Sequence, residues 1–130
     1  MVLDNIKKFL KIVKSMPDFD KVAFIFLFGS VAEGRQNKLS DIDFAVYYQG
    51  TNKERFKFRI NLLSKSPDSF DAQIFQDLPL FVQKEVLRGR LVYCKDKNLS
   101  FVYEKAYEII KAYEDFKKSY YDYIGMEKII

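Results

Sequence analysis

Apolar positions along the 130-residue chain follow two periods, and the changes between them mark out the elements. Leu3, Ile6, Leu10 and Val13 recur at steps of 3, 4 and 3, with Phe9, Ile12 and Met16 beside them. That spacing predicts a helix over 3–16, ended by Pro17. Residues 21–28 include Val22-Ala23-Phe24-Ile25-Phe26-Leu27-Phe28, too continuously apolar to alternate, as expected of a strand buried on both faces. A loop over 29–40 leads to a second strand over 41–48. Thr51 and Glu54 have the spacing of a capping box, which predicts a helix from about 52 to 65. Lys53, Arg55, Lys57 and Arg59 form a basic stripe on it, expected to be a solvated face. Ser66-Pro67-Asp68 breaks that helix, and a third strand is expected at 69–75. A helix over 78–88 should end at Gly89 as its C-cap. Leu91-Val92-Tyr93-Cys94 reads as a short fourth strand, and one long helix runs from Asn98 to Tyr123.

These elements predict an α/β (α+β) fold: a small mixed sheet of about four strands with helices packed against it, plus a long C-terminal helix. The expected organisation is a domain over 1–95 and a helical extension of it over 96–130. Strands one and two should be antiparallel, because a parallel crossover normally contains a full helix. The helix after strand two allows strand three to run parallel to it by a right-handed crossover. This topology brings Gly29-Ser30, Asp41, Asp43 and Asp71 to one edge of the sheet.

Composition narrows the chemistry. The chain has no histidine and one cysteine, Cys94, which excludes a standard zinc site and an internal disulfide. Catalysis would have to run on carboxylates, hydroxyls, Lys, Arg, backbone amides and hard metal ions. Net charge +4 admits an acidic small molecule such as a nucleotide, but lacks the dense basic face of a nucleic-acid binder. No signal-peptide pattern precedes the first helix, and no apolar run approaches the roughly 18 residues of a membrane span. A reducing cytoplasm is the expected location.

Asp41 and Asp43 are two residues apart at the start of a strand, so their side chains share a face. Carboxylates placed in this way suit two magnesium ions roughly 3.5–4 Å apart, the arrangement used in phosphoryl transfer. Asp71 would complete one metal site or take the proton from an attacking hydroxyl. Gly29 would let the backbone approach phosphate oxygens, Ser30 would offer a hydroxyl, and Arg35 and Lys38 are the loop cations available to phosphate.

The segment Phe28-Gly29-Ser30, then Ala32 and Gly34, then Ser40-Asp41-Ile42-Asp43, resembles the signature of the polymerase-β-like nucleotidyltransferase superfamily. Phe70-Asp71-Ala72-Gln73-Ile74 resembles the strand carrying the third carboxylate, and the likeness extends over about residues 3–95. The small size is similar to that of the minimal nucleotidyltransferases (MNT). The chain departs from the pattern at Glu33, where many relatives carry Arg or Lys, and at Ala72-Gln73, where apolar residues are commoner. The resemblance implies a nucleotidyltransferase fold with Asp41, Asp43 and Asp71 as catalytic and metal-binding residues. It places Gly29, Ser30, Arg35, Lys38 and Ser40 against the nucleotide. It also implies ATP as substrate with two Mg2+ ions, and an antitoxin role in which AMP is transferred to a tyrosine of a partner HEPN ribonuclease toxin.

Val102, Ala106, Ile109, Tyr113, Phe116 and Tyr120 form a heptad-like seam on the last helix. Its first half could pack on the protein's own sheet or on a partner. Its aromatic second half is expected to meet the HEPN protein or a second copy of the chain. Two other readings remain at this level: an antitoxin that inhibits by contact alone, and a transferase acting on a small hydroxylated molecule.

Overall fold

The computed structural model describes residues 2–29 and 41–125. Its helices are α1 (Val2–Lys14), α2 (Asn52–Ser64), α3 (Leu80–Leu87) and α4 (Leu99–Tyr123). Its strands are β1 (Val22–Phe28), β2 (Ile42–Tyr48), β3 (Phe70–Ile74) and β4 (Arg90–Cys94). They form one mixed sheet in the order β3-β2-β1-β4. β1 is antiparallel to both β2 and β4, and β2 is parallel to β3, as the connection lengths require.

The sheet is covered on both faces, which is why β1 is apolar throughout. One face buries Ile25, Leu27, Phe44, Val46, Phe70 and Ala72 under α1 and α2. Phe9 of α1 stacks flat on Phe44, with ring centroids 3.8 Å apart. The other face buries Phe24, Phe26 and Ala45 with Phe75, against Val86 of α3 and Val102 and Ile109 of α4. Ala23 and Phe24 are consecutive yet belong to this same core. The pairing of β1 with β2 shifts register between Val22 and Phe24, so Ala23 is an extra residue that resets the alternation.

The capping box at the start of α2 is present in full. Glu54 N–H donates to Thr51 Oγ1 at 3.2 Å, and Thr51 N–H donates to Glu54 Oε1 at 2.8 Å. The C-cap of α3 is Arg88, and Gly89, expected in that role, follows it. Among the described glycines only Gly29 and Gly125 have positive φ. A Cβ on Gly89 would lie 2.2 Å from the Leu27 carbonyl oxygen. Glycine is needed there because the turn after α3 presses directly on the β1 backbone.

α4 is divided along its length. Val102 and Ile109 are buried, and Lys84 Nζ of α3 lies 4.3 Å above the centre of the Tyr113 ring. Beyond Tyr113 the seam is open: Phe116 is 53% exposed and Tyr120 52%. The first half of the seam therefore packs on the protein's own core, and Tyr113, expected to lie in the uncovered half, is tied to α3. Among the described residues no helix is long and apolar enough to cross a membrane.

Candidate active site

Strand alternation sends Ile42 and Phe44 into the core under α1 and α2, so Asp43 projects to the opposite face. The parallel register of β2 and β3 sets Asp43 directly beside Asp71. Asp71 lies between the buried Phe70 and Ala72, and so it shares Asp43's face. Asp41 immediately precedes β2 and is exposed. Two of the three expected carboxylates are thus cross-strand neighbours, and the third is one step beyond the strand's end.

Gly29 closes this end of the sheet. Phe28 pairs with Asp43, and the chain leaves β1 through Gly29 with φ +82°. A Cβ at this position would lie 2.6 Å from Asp43 Oδ2. Both the left-handed backbone and the close approach to the carboxylate require glycine. Ser30, Glu33, Arg35, Lys38 and Ser40 lie outside the described residues.

The electrostatics centre on Asp43. Burial, followed by the negative charges of Asp71 and Asp41, pushes its carboxyl from 3.8 up to about 6. The charges of both Asp71 and Asp41 therefore reach Asp43 through space. Among the described residues, no group of three acidic or thiol side chains is gathered tightly enough to form a ready-made metal site. The donor set nonetheless suits a hard divalent cation: it offers only oxygen ligands, and Asp43 ionises at a cost that a counter-charge would relieve.

Two residues at this site were not among those expected. Gln73 Nε2 donates to both oxygens of Asp71, at 3.1 and 3.3 Å. Arg59 reaches over the edge of the sheet from α2. Its Nε donates to the Ala72 carbonyl at 2.7 Å, and its Nη2 lies 3.8 Å from Asp71 Oδ1. Arg59 thus caps an open carbonyl of edge strand β3 while neutralising part of the carboxylate cluster. The basic stripe of α2 is only partly a solvated face. Lys53 and Lys57 are exposed, whereas Arg55 pairs with Asp77 at 2.8 Å and Arg59 serves Asp71. For Gln73 the signal was in the sequence: it is two residues from Asp71 and shares its face. No sequence signal singles out Arg59, because its contact depends on how α2 lies along β3.

Comparison with known proteins places these features. A chain of a toxin–antitoxin crystal structure with AMP-PNP superposes with TM-score 0.70 at 22% identity, over 93% of this chain and 96% of that one. The structure of a tri-AMPylated Shewanella oneidensis HEPN toxin in complex with MNT antitoxin contains a chain matching with TM-score 0.65 at 20% identity. That match covers 96% of this chain and 97% of the other. At these identities the likeness is one of fold. In sequence, the protein of Methanocaldococcus jannaschii named Putative protein adenylyltransferase MJ1547 is 29% identical over 99 residues, 75% of each chain. The family model described as polymerase beta, nucleotidyltransferase matches residues 10–98, which span β1 to β4 and all the carboxylates discussed above. With more than half its length matched, this chain belongs to the polymerase-β nucleotidyltransferase family.

Proposed function

We propose that the protein transfers AMP from ATP to a tyrosine hydroxyl of a HEPN-type partner and acts in this way as an antitoxin. The observation that carries the reading is the side-by-side placement of Asp43 and Asp71, with Gly29 pressed against the Asp43 carboxylate. Similar folds occur in a toxin–antitoxin structure with AMP-PNP and in a complex with an AMPylated HEPN toxin. The relative named as a protein adenylyltransferase supports a protein acceptor.

In this reading the acceptor oxygen forms a bond to the α-phosphorus of ATP. The bond to the leaving pyrophosphate breaks, and the hydroxyl proton is released. Two divalent cations, when bound, would lower the cost of the attacking oxyanion and of the charge growing on the leaving group. Asp41 and Asp43 would hold them. Asp71 would complete one of these sites or receive the proton, and Gln73 and Arg59 fix its orientation for either role. Gly29 would let the backbone approach phosphate oxygens. Ser30, Arg35, Lys38 and Ser40 are assigned to the nucleotide on the motif alone. Residues 1–95 would carry the transfer, and 96–130 would be a helical extension whose exposed aromatic end meets the partner, with the cytoplasm as the proposed compartment.

The test combines the purified protein with ATP labelled on the α-phosphate, Mg2+, and the product of the neighbouring gene. Label is expected on the partner with wild type, and none with Asp41→Asn or Asp43→Asn. Partner inhibition without any transfer of label would instead establish inhibition by contact. Labelling by the two variants equal to that by wild type would remove the carboxylates from the mechanism.

A further inference from the structure

A pocket opens on the outer edge of β3, lined by Phe56, Arg59, Gln73, Ile74, Asp77 and Leu78, with a volume of about 200 Å3. Two of these residues are the ones that touch Asp71: the Gln73 amide donates to its carboxylate, and the Arg59 guanidinium pairs with it. The pocket and the carboxylate site therefore share a wall.

Size narrows what can enter. An apolar cavity of about 150 Å3 takes a benzene ring, whereas drug-sized ligands occupy roughly 300–1,000 Å3. The pocket is half open, and a single ring bearing a hydroxyl fits this volume. The lining matches a ring as well. Ile74 and Leu78 are apolar. Phe56 leaves 63% of its surface exposed, because α2 buries Phe58 and Leu62 in its place. The Arg59 guanidinium can lie against a π face. Asp77 is already held by Arg55, so it brings no unpaired charge into the pocket.

We propose that this pocket receives the ring of the acceptor tyrosine and directs its hydroxyl at Asp71. The proposal rests on the protein-hydroxyl transfer argued above and adds the acceptor's position and the basis of its selection. A serine or threonine acceptor would leave the pocket empty, so the site selects for tyrosine.

The test is an amide-resolved NMR titration of the full chain with N-acetyltyrosinamide, taken to about 20 mM because a single ring is expected to bind in the millimolar range. Saturable shifts are expected at residues 56–59 and 73–78, and none with N-acetylserinamide. Leu78→Trp fills the pocket and should weaken the tyrosine probe about tenfold, with ATP–Mg2+ affinity by calorimetry unchanged. Phe56→Ala removes an exposed wall without disturbing the core, and should also weaken the probe. Absence of saturation in wild type, or affinity equal to that of wild type in both variants, overturns the pocket. The titration requires no AMP transfer, so ring binding by a protein that transfers nothing would count against the function reading alone. Transfer with the same acceptor KM in wild type and Leu78→Trp would count against the pocket alone.

Discussion

Asp43→Asn should stabilise the metal-free protein even as it abolishes transfer. Burial and the charges of Asp71 and Asp41 raise this carboxyl from 3.8 to about 6, so its ionised form is disfavoured in the folded state. One pKa unit corresponds to about 1.4 kcal/mol, which caps the cost of ionisation at about 3 kcal/mol. The side chain is only half-buried, and solvent screening reduces the expected gain to about 1 kcal/mol. With about 2.1 cal/mol/K of unfolding entropy per residue, that gain raises Tm by about 4 °C near pH 7.5. Between 3.8 and about 6 the folded protein binds more protons at Asp43 than the unfolded chain does. The stability associated with protonated Asp43 is thus complete below the lower value and is lost as pH rises through the upper one. The advantage of the variant should accordingly vanish below about pH 4 and reach a plateau above about pH 7. Thermal unfolding of both proteins in a chelator, across this pH range, measures it. Millimolar Mg2+ should raise the Tm of wild type alone and narrow the gap. A variant less stable than wild type at neutral pH, or a gap independent of pH, would refute the account of like charges crowded at one sheet edge.

Further outcomes follow from the same geometry. Gly29→Ala has to accept a φ of +82° and a Cβ 2.6 Å from Asp43 Oδ2. It should lose about 1–2 kcal/mol in denaturant melts, together with most of the transfer activity. Gly89→Ala puts a Cβ 2.2 Å from the Leu27 carbonyl, so a loss of about 1–3 kcal/mol is expected although no left-handed backbone is involved. Removing residues 114–130 leaves the Lys84–Tyr113 contact and both cores in place. Stability should change by no more than about 0.5 kcal/mol, while co-purification with the HEPN-type partner is lost. Unchanged association would clear the exposed end of α4 of any role in binding.

Asp43, crowded by Asp71 and Asp41, costs the free protein stability when ionised, and a bound cation would relieve that cost. On the Asp71 side, Arg59 supplies a positive charge and Gln73 two donated hydrogen bonds. A site assembled from β2, β3 and the Gly29 turn also needs no second domain to hold its parts together. Asp43 and Asp71 are held side by side by strand register.

Local pattern alone determined the element order, the antiparallel and parallel pairings, the capping box at Thr51 and Glu54, and the edge to which Asp41, Asp43 and Asp71 come. Side-chain period and connection length carry that information, and both are properties of neighbouring residues. Tertiary structure decided the rest. The extra residue Ala23 resets the face of β1 only because β2 pairs on both sides of it. Gly89 is a glycine because a strand distant in sequence passes behind it, and Tyr113 is tied to the fold because Lys84 of α3 reaches its ring. Arg59 belongs to Asp71 because α2 lies along the open edge of β3. Contacts of this kind depend on how elements pack across long sequence separations, and no periodicity in a single segment encodes that distance.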